Sequence, residues 1–268
     1  MNPAREIAPA KLNLALHVRG KLPDGRHGIE TIFAFCIDGD RLSAEPSDAL
    51  SLNVTGPFAA DVPADDNLVL RAAEALRSAA EVQQGAAITL DKRLPVASGI
   101  GGGSADAAAT LRLLTSMWGT DPALAQEIAP QLGSDVLACL LSLPMRGEGP
   151  GDRLTPVDLP EIAAAPVLLV NPRIALSTAA GFAGWDGVDR GPLDDWRMGR
   201  NDLQPQAIAL VPQIETVLAW LSAQPGVNFV RMSGSGATCF ALFDTDEARD
   251  RGAEAVPREW WHLATSLR

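Results

Sequence analysis

The sequence predicts an α+β protein of two domains, and three observations carry that expectation. Short strand patterns fill the chain as far as Thr55 before any helical periodicity begins. A glycine-rich stretch, Gly99-Ile100-Gly101-Gly102-Gly103, then runs straight into an Ala/Leu-rich helical pattern. The C-terminal part reads strand, helix, strand, strand, helix, strand. Gly147 to Asp152, rich in Gly and Pro, reads as the passage between the two parts, which divides the chain into residues 1–155 and 156–268.

From Leu12 to Val18 apolar and polar residues alternate. Leu12, Leu14, Leu16 and Val18 share one face, and Lys11, Asn13, Ala15 and His17 share the other, as a strand requires. Taken alone, the second set reads as a solvated face that projects Lys11 and Asn13 together. A polar turn around Asp24-Gly25-Arg26-His27 leads to a strand at Ile29–Ile37, with Thr31, Phe33 and Phe35 on one face. Gly39-Asp40 and Ser47-Asp48 then punctuate further short strands near Arg41–Glu45 and Leu50–Thr55. Such a run favours an antiparallel sheet. Asp65-Asp66-Asn67 opens a helix with the apolar stripe Leu68, Val69, Ala72, Ala73, Ala75, Leu76 and Ala80. A strand at Ala86–Leu90 follows it.

Asp91-Lys92-Arg93 leads into the stretch from Pro95 through Ser98 to Ser104. Ser104 is the expected N-cap of a helix continued by Ala107, Ala108, Leu111, Leu114, Met117 and Trp118. A glycine-rich loop opening a helix offers unpaired N–H groups and the positive dipole end, which suits phosphate. Two familiar phosphate loops are excluded: no Lys-Ser/Thr follows the glycines, and the third glycine of the dinucleotide pattern is Ser104 or Asp106. A short helix at Pro122–Leu132 precedes Gly133-Ser134-Asp135-Val136 and an apolar run to Leu141. Asp135 reads either as a first-turn acid favoured by the dipole or as a carboxylate tuned for proton transfer.

Beyond the Gly/Pro passage come a strand at 166–171 and an irregular stretch through Phe182, Trp185 and Trp196. A helix follows at about 205–222, then strands at Val227–Met232 and Thr238–Phe243 around the turn Ser233-Gly234-Ser235-Gly236. A helix at Asp246–Ala255 and a strand near Trp260–Ala264 complete a ferredoxin-like split unit.

Composition narrows the function. A net charge of −11 argues against nucleic acid and anionic membranes as partners, so a phosphorylated substrate must be held by local donors. Lys11, Lys21 and Lys92 are the only lysines. Cys36, Cys139 and Cys239 lack paired spacing and read as reduced core thiols, and the histidines show no ligand spacing. No apolar run reaches membrane-span length, and the start at Met1-Asn2-Pro3 has no signal-peptide core, which points to the cytoplasm. On these residues alone the reading stops at a nucleotide-dependent enzyme, with a kinase among the candidates.

Three segments in order resemble the GHMP kinase superfamily: Pro9-Ala10-Lys11-Leu12-Asn13-Leu14, Pro95 to Ala107, and Met232-Ser233-Gly234-Ser235-Gly236-Ala237. Asp24-Gly25-x-His27, Asp66-Asn67-Leu68, Leu132-Gly133-Ser134-Asp135-Val136 and Asn201-Asp202-Leu203 add to the likeness, which spans essentially the whole chain. The resemblance implies a ribosomal-protein-S5-like N-terminal ATP-binding domain and a ferredoxin-like C-terminal domain. It is strongest to the kinases that transfer the ATP γ-phosphate to the 2-hydroxyl of a cytidine-diphosphate-linked methylerythritol, in the non-mevalonate route to isoprenoid precursors.

By that likeness Asp135 takes the proton from the attacking hydroxyl and Lys11 stabilises the developing charge. Pro95, Ser98, Gly99, Ile100, Gly101, Gly102, Gly103 and Ser104 wrap the ATP phosphates, with Asn67 and Lys92 toward the nucleoside. Asn13, His27, Phe33, Thr178 and Phe182 surround the cytidyl substrate. Mg²⁺ accompanies ATP, with no protein ligand nameable, and the protein is a monomer or homodimer. The chain departs from the pattern where Arg26 replaces a usual Tyr, in a sequence with no tyrosine, and where Leu137 replaces a usual Pro. A guanidinium plane can still stack on a base or pair with phosphate. Two alternatives stay open: a GHMP kinase for mevalonate-like, homoserine or sugar alcohols, and a non-catalytic nucleotide-sensing module.

Overall fold

A computed structural model describes residues 4–63 and 66–268; Met1-Asn2-Pro3 and Asp65, used above, lie outside the described residues. Two compact units interleave along the chain. One takes the chain up to Ala10, Asp38–Val96 and Gly101–Ser142; the other takes Lys11–Ile37, Ala97–Ile100 and Leu143–Arg268. Strands β1 (Ala4–Lys21) and β2 (His27–Ser47) each run through both.

In the first unit, β2 pairs antiparallel with β4 (Gly85–Asp91), and β3 (Ser51–Thr55) pairs parallel with β4. Helix α1 (Leu68–Ala79) is the crossover that a parallel pair needs. The expected break at Gly39-Asp40 is absent, because β2 continues through it. Gly39 is there for close approach: a Cβ on it would lie 1.8 Å from the Ala8 carbonyl oxygen of β1. Asp40 is wholly buried and is not a turn residue.

Helix α2 (Gly102–Trp118) packs against α1, α3 (Pro122–Leu132) and α4 (Val136–Leu141). Val69, Ala72, Ala73 and Leu76 of α1 are buried, as the stripe requires. The alanines of α2 (Ala105, Ala107, Ala108, Ala109) are wholly buried, and their small side chains let neighbouring helices approach. Arg112 on α2 ties α4 in place, donating from Nη1 to the carbonyls of Cys139 (2.9 Å) and Leu140 (3.3 Å) while its Nε binds Glu6 at 2.8 Å.

In the second unit, the Gly/Pro passage around Gly147–Asp152 is a hairpin rather than a linker: β5 (Met145–Gly149) pairs with β2 on one side and β6 (Arg153–Pro156) on the other. Helix α5 (Thr178–Ala183), capped by Ser177, lies inside the stretch read as irregular. The helix expected over 205–222 is two, α6 (Gln204–Leu210) and α7 (Gln213–Ser222). Pro212 divides them, since proline has no N–H to donate and pushes Val211 out of the helical region (φ −136°, ψ 81°).

Strands β7 (Pro166–Asn171), β8 (Val227–Met232), β9 (Cys239–Phe243) and β10 (Trp261–Ser266) form an antiparallel sheet in the order β10-β7-β9-β8, and α8 (Asp246–Glu254) packs on it. That is the split βαββαβ arrangement read from the sequence. Its core joins Leu168, Val170, Ile214, Val217, Leu221 and Phe243. The three cysteines are buried free thiols.

Candidate active site

The alternation of β1 places Lys11 and Asn13 on one face, but that face is not solvated. Lys11 is 4% and Asn13 2% exposed. A buried ammonium must be hydrogen-bonded, and Lys11 Nζ donates to Asn13 Oδ1 at 2.8 Å while lying 5.2 Å from the centre of the Phe33 ring. Asn13 Nδ2 donates to Thr31 Oγ1 at 2.8 Å, and Thr31 Oγ1 donates to the Ala15 carbonyl at 2.6 Å. The amide is thereby fixed with its oxygen toward Lys11. Thr31 was visible only as a strand residue, because its hydroxyl becomes a relay only once β1 and β2 pair.

Backbone contacts join this strand to both small-residue loops. Lys11 N donates to Ile100 O at 3.0 Å, Asn13 N to Ser233 Oγ at 3.1 Å, and Ser233 Oγ to Gly99 O at 3.0 Å. Gly99 has φ +78°, and a Cβ there would lie 2.4 Å from the Ser233 carbonyl oxygen, so only glycine fits. Asn201 holds the second loop through Nδ2 to Met232 O (2.9 Å) and Gly234 O (2.8 Å). Parts of the three segments that carried the family resemblance, Lys11–Leu14, Ala97–Ile100 and Met232–Ala237, therefore meet in the second unit. Ser98, Ile100 and Pro95 are buried, and Ser98 accepts from Thr238 N at 3.1 Å through its carbonyl.

The N-cap of α2 is Gly101, left-handed at φ +66°, and Ser104 sits inside the first turn rather than at the cap. Glycine wins the cap position because the loop enters the helix through a left-handed residue, which a serine adopts only at a cost. No side chain caps this end, so first-turn N–H groups stay available to an anion. Gly103 is exposed and Gly102 and Ser104 are half-buried.

Behind that turn lies a buried charge cluster. Lys92 Nζ bonds Asp40 Oδ2 and Asp106 Oδ2, each at 2.6 Å, with Lys92 2% and Asp106 3% exposed. Asp40 Oδ1 also accepts from Arg93 N (2.5 Å) and Leu94 N (2.8 Å), whereas Asp106 Oδ1 is buried with no partner. Burial works against the Lys92 charge, but Asp106 and Asp40 together more than offset it and raise its pKa. Burial and the Asp40 charge, against the pull of Lys92, push Asp106 up to about 7. One ammonium cannot fully satisfy two carboxylates, and Asp106 is the one left short. Sequence reasoning pointed Lys92 toward a nucleoside; Asp40, dressed as a turn, and Asp106, spelled into an alanine helix, gave no sign of pairing with it. Asn67 caps α1, accepting from Val69 N at 2.8 Å.

Asp135 occupies the N-cap position of α4 in the α region (φ −89°, ψ −10°), and its side chain makes no capping bond.

The residues expected around the cytidyl substrate include a ring cluster. His27 stacks on Phe182, with centroids 5.0 Å apart at 23°, and Trp185 meets His27 edge-on at 5.6 Å and 90°. Burial, then the Lys21 charge, lowers the His27 pKa. Thr178 Oγ1 lies 3.3 Å from Ser235 Oγ. Arg26 is exposed and committed to Asp24, with Nε to Oδ2 at 2.8 Å. Trp185, read only as part of an irregular stretch, joins the cluster because α5 turns it there.

Residues 67–142 match the N-terminal domain of GHMP kinases and residues 193–263 match their C-terminal domain, so the chain carries both domains of a GHMP kinase. A crystal structure of homoserine kinase from Cytophaga hutchinsonii shares the fold at 21% identity, with a TM-score of 0.67 over 100% of this chain and 95% of that one. More particular relatives share far more. The 4-diphosphocytidyl-2-C-methyl-D-erythritol kinase of Rhizorhabdus wittichii is 50% identical over 98% of this chain and 94% of its own, and that of Novosphingobium aromaticivorans is 49% identical over 98% and 93%. A crystal structure of 4-(cytidine 5'-diphospho)-2C-methyl-D-erythritol kinase matches with a TM-score of 0.86 at 33% identity, covering 98% of each chain. The chain belongs to the family of 4-diphosphocytidyl-2-C-methyl-D-erythritol kinases.

Proposed function

We propose that this protein transfers the γ-phosphate of ATP to the 2-hydroxyl of 4-diphosphocytidyl-2-C-methyl-D-erythritol, within the non-mevalonate route to isoprenoid precursors. Family membership supports the substrate. The observation that carries the chemistry is the buried Lys11 ammonium, held by Asn13 and bonded through its own backbone to the glycine loop. Phosphoryl transfer asks a protein for positioning and for fixed positive charge more than for covalent chemistry. Lys11 supplies such a charge where water cannot screen it. The first-turn N–H groups of α2 supply neutral donors to phosphate oxygens, which an acidic chain needs in place of a general positive field.

In this reading Asp135 accepts the proton of the substrate hydroxyl. Lys11 offsets the charge that develops as the proton leaves. Pro95 to Ser104 embrace the triphosphate, Asn67 and Lys92 support the nucleoside side, and Asn13, Arg26, His27, Phe33, Thr178 and Phe182 serve the cytidyl compound. Mg²⁺ belongs to the same proposal. Among the described residues no group of three or more His, Cys, Asp or Glu is built to hold a metal, while the loop offers the Ser104 hydroxyl. That donor set suits an ion carried on the triphosphate and completed by water, with Ser104 holding it. Bound there, the ion would neutralise phosphate charge.

No helix among the described residues is long and apolar enough to cross a membrane, and we place the reaction in the cytoplasm, on a monomer or homodimer. The test is turnover by the purified protein with ATP, Mg²⁺ and a panel of alcohols. The cytidyl compound should be preferred by orders of magnitude over mevalonate, homoserine and free sugars; preference for one of those would overturn the substrate assignment.

A further inference from the structure

We infer that His17 is a positioning residue for the small-residue loop 233–236, that only its unprotonated ring does this, and that phosphoryl transfer is lost as the ring takes up a proton. The inference rests on the proposed reaction for its kinetic readout alone. It starts from hydrogen-bond roles. His17 is 2% exposed, and its ring nitrogens meet two different kinds of backbone group. Nε2 lies 3.2 Å from Arg200 N, which donates to it, and Nδ1 lies 3.1 Å from the Gly191 carbonyl oxygen, which only accepts. One form of the ring fits both: neutral, with the proton on Nδ1. A protonated ring would set an N–H against the Arg200 N–H.

Those two contacts hold a segment that reaches the site. Arg200 is followed by Asn201, whose Nδ2 donates to Met232 O and Gly234 O. Ser233, between them, accepts from Asn13 N and donates to Gly99 O through its hydroxyl. Strand β1 grips the same segment through Leu16 N to Arg200 O at 2.8 Å and Asp202 N to Leu16 O at 2.9 Å. Between α5 and α6 the described chain forms no helix or strand, so contacts such as these fix its course. All of these residues belong to the second unit.

The charges around the ring are already engaged. Arg200 and Asp202 face it from that segment and Glu30 faces it from β2. Asp202 is occupied by Arg200, Oδ1 to Nε at 2.6 Å, and by Val18 N, from which Oδ2 accepts at 2.8 Å. Glu30 is occupied by Arg146 at 3.0 Å, by Leu193 N at 2.6 Å and by Arg19 at 3.6 Å, and Arg19 also reaches Asp189 at 3.3 Å. Burial, then the Arg200 charge, lowers the His17 pKa from the ordinary 6.5, against the pull of the Gly191 carbonyl, Asp202 and Glu30. Half-protonation of the ring therefore falls below pH 6.5.

Hydrogen exchange, NMR and kinetics test the inference together. In the wild-type protein, nitrogen-15 NMR of the three histidines should show His17 as the Nδ1–H form in neutral solution. The peptide spanning 190–202 should lose at least about tenfold in exchange protection, corrected for the intrinsic rate, as that ring protonates. Over the same range kcat/KM for the cytidyl substrate should fall by about tenfold per pH unit. His17→Gln keeps an acceptor for the Arg200 N–H but cannot titrate, so this acid limb should move to lower pH and the loss of protection should vanish. His17→Phe keeps a ring without either bond and should lower kcat/KM about tenfold at every pH. A ring in the Nε2–H form, a ring that protonates without loss of protection, or an acid limb unchanged in His17→Gln would overturn the inference. If the wild-type protein formed no cytidyl product at any pH, the proposed function would fall, whereas NMR and exchange, which need neither substrate nor variant, would still decide on His17.

Discussion

Replacing Lys92 by methionine removes the cation between two buried carboxylates. Methionine matches the lysine stem in length and flexibility, so the change isolates the charge. Asp40 keeps its two backbone donors, but Asp40 and Asp106 then face each other across the methionine with nothing to offset them. Breaking a buried pair by removing one partner costs about 3–5 kcal/mol. At about 2–4 °C per kcal/mol for a chain of this size, the melting temperature should fall by roughly 6–20 °C.

The loss should also depend on pH. Because Asp106 sits at about 7 in the folded protein against 3.8 ordinarily, the folded state binds that proton more tightly than the unfolded one. The stability this contributes is complete below about pH 4 and is lost as pH rises through about 7. In Lys92→Met the attraction that holds Asp106 down is gone, its pKa climbs further, and the penalty should be clearly larger at pH 8 than at pH 5. Urea unfolding of both proteins at the two pH values reads this directly. Wild-type stability of Lys92→Met at pH 8 would refute the assignment of Lys92 as the counter-charge of a buried carboxylate pair.

Other perturbations follow from the same geometry. Asp135→Asn should lower kcat by about 10²–10⁴-fold, the range of a lost general base, while ATP binding by calorimetry stays intact; near-full activity would remove Asp135 from that role. Gly99→Ala has no room, with its Cβ 2.4 Å from Ser233 O at φ +78°, and should cost at least about 2 kcal/mol of urea stability and raise the KM for ATP. A benign Gly99→Ala would mean that the two loops do not need their contact. Arg26→Tyr should tighten the cytidyl substrate or leave it unchanged, since Arg26 is engaged with Asp24; a large rise in KM would give Arg26 an essential contact of its own.

What could be read from the chain follows a physical divide. Local period revealed α3, β8 and the βαββαβ order, because each of those elements is specified by its own residues. Where distant partners decide, the reading slipped. Gly39-Asp40 spells a turn, yet β1 needs the missing Cβ and Lys92 needs the carboxylate, so β2 runs through. Pro212 splits a helix whose apolar spacing continues across it. Lys11, Asn13 and His17 look like a wet face because nothing in β1 itself announces that both faces are covered. The residues around the site divide the same way: the glycine loop was legible as an anion turn, whereas Thr31, Asp106 and Trp185, none of them expected there, acquire their surroundings only from tertiary packing.

The most direct test of the proposed reaction is phosphorus NMR of the purified protein with ATP, Mg²⁺ and 4-diphosphocytidyl-2-C-methyl-D-erythritol, run beside Lys11→Met and Asp135→Asn. Wild-type protein should convert ATP to ADP in step with a new phosphomonoester signal, and both variants should lose it while remaining folded. ADP without a phosphorylated cytidyl product, or a product formed equally well by either variant, would contradict the account.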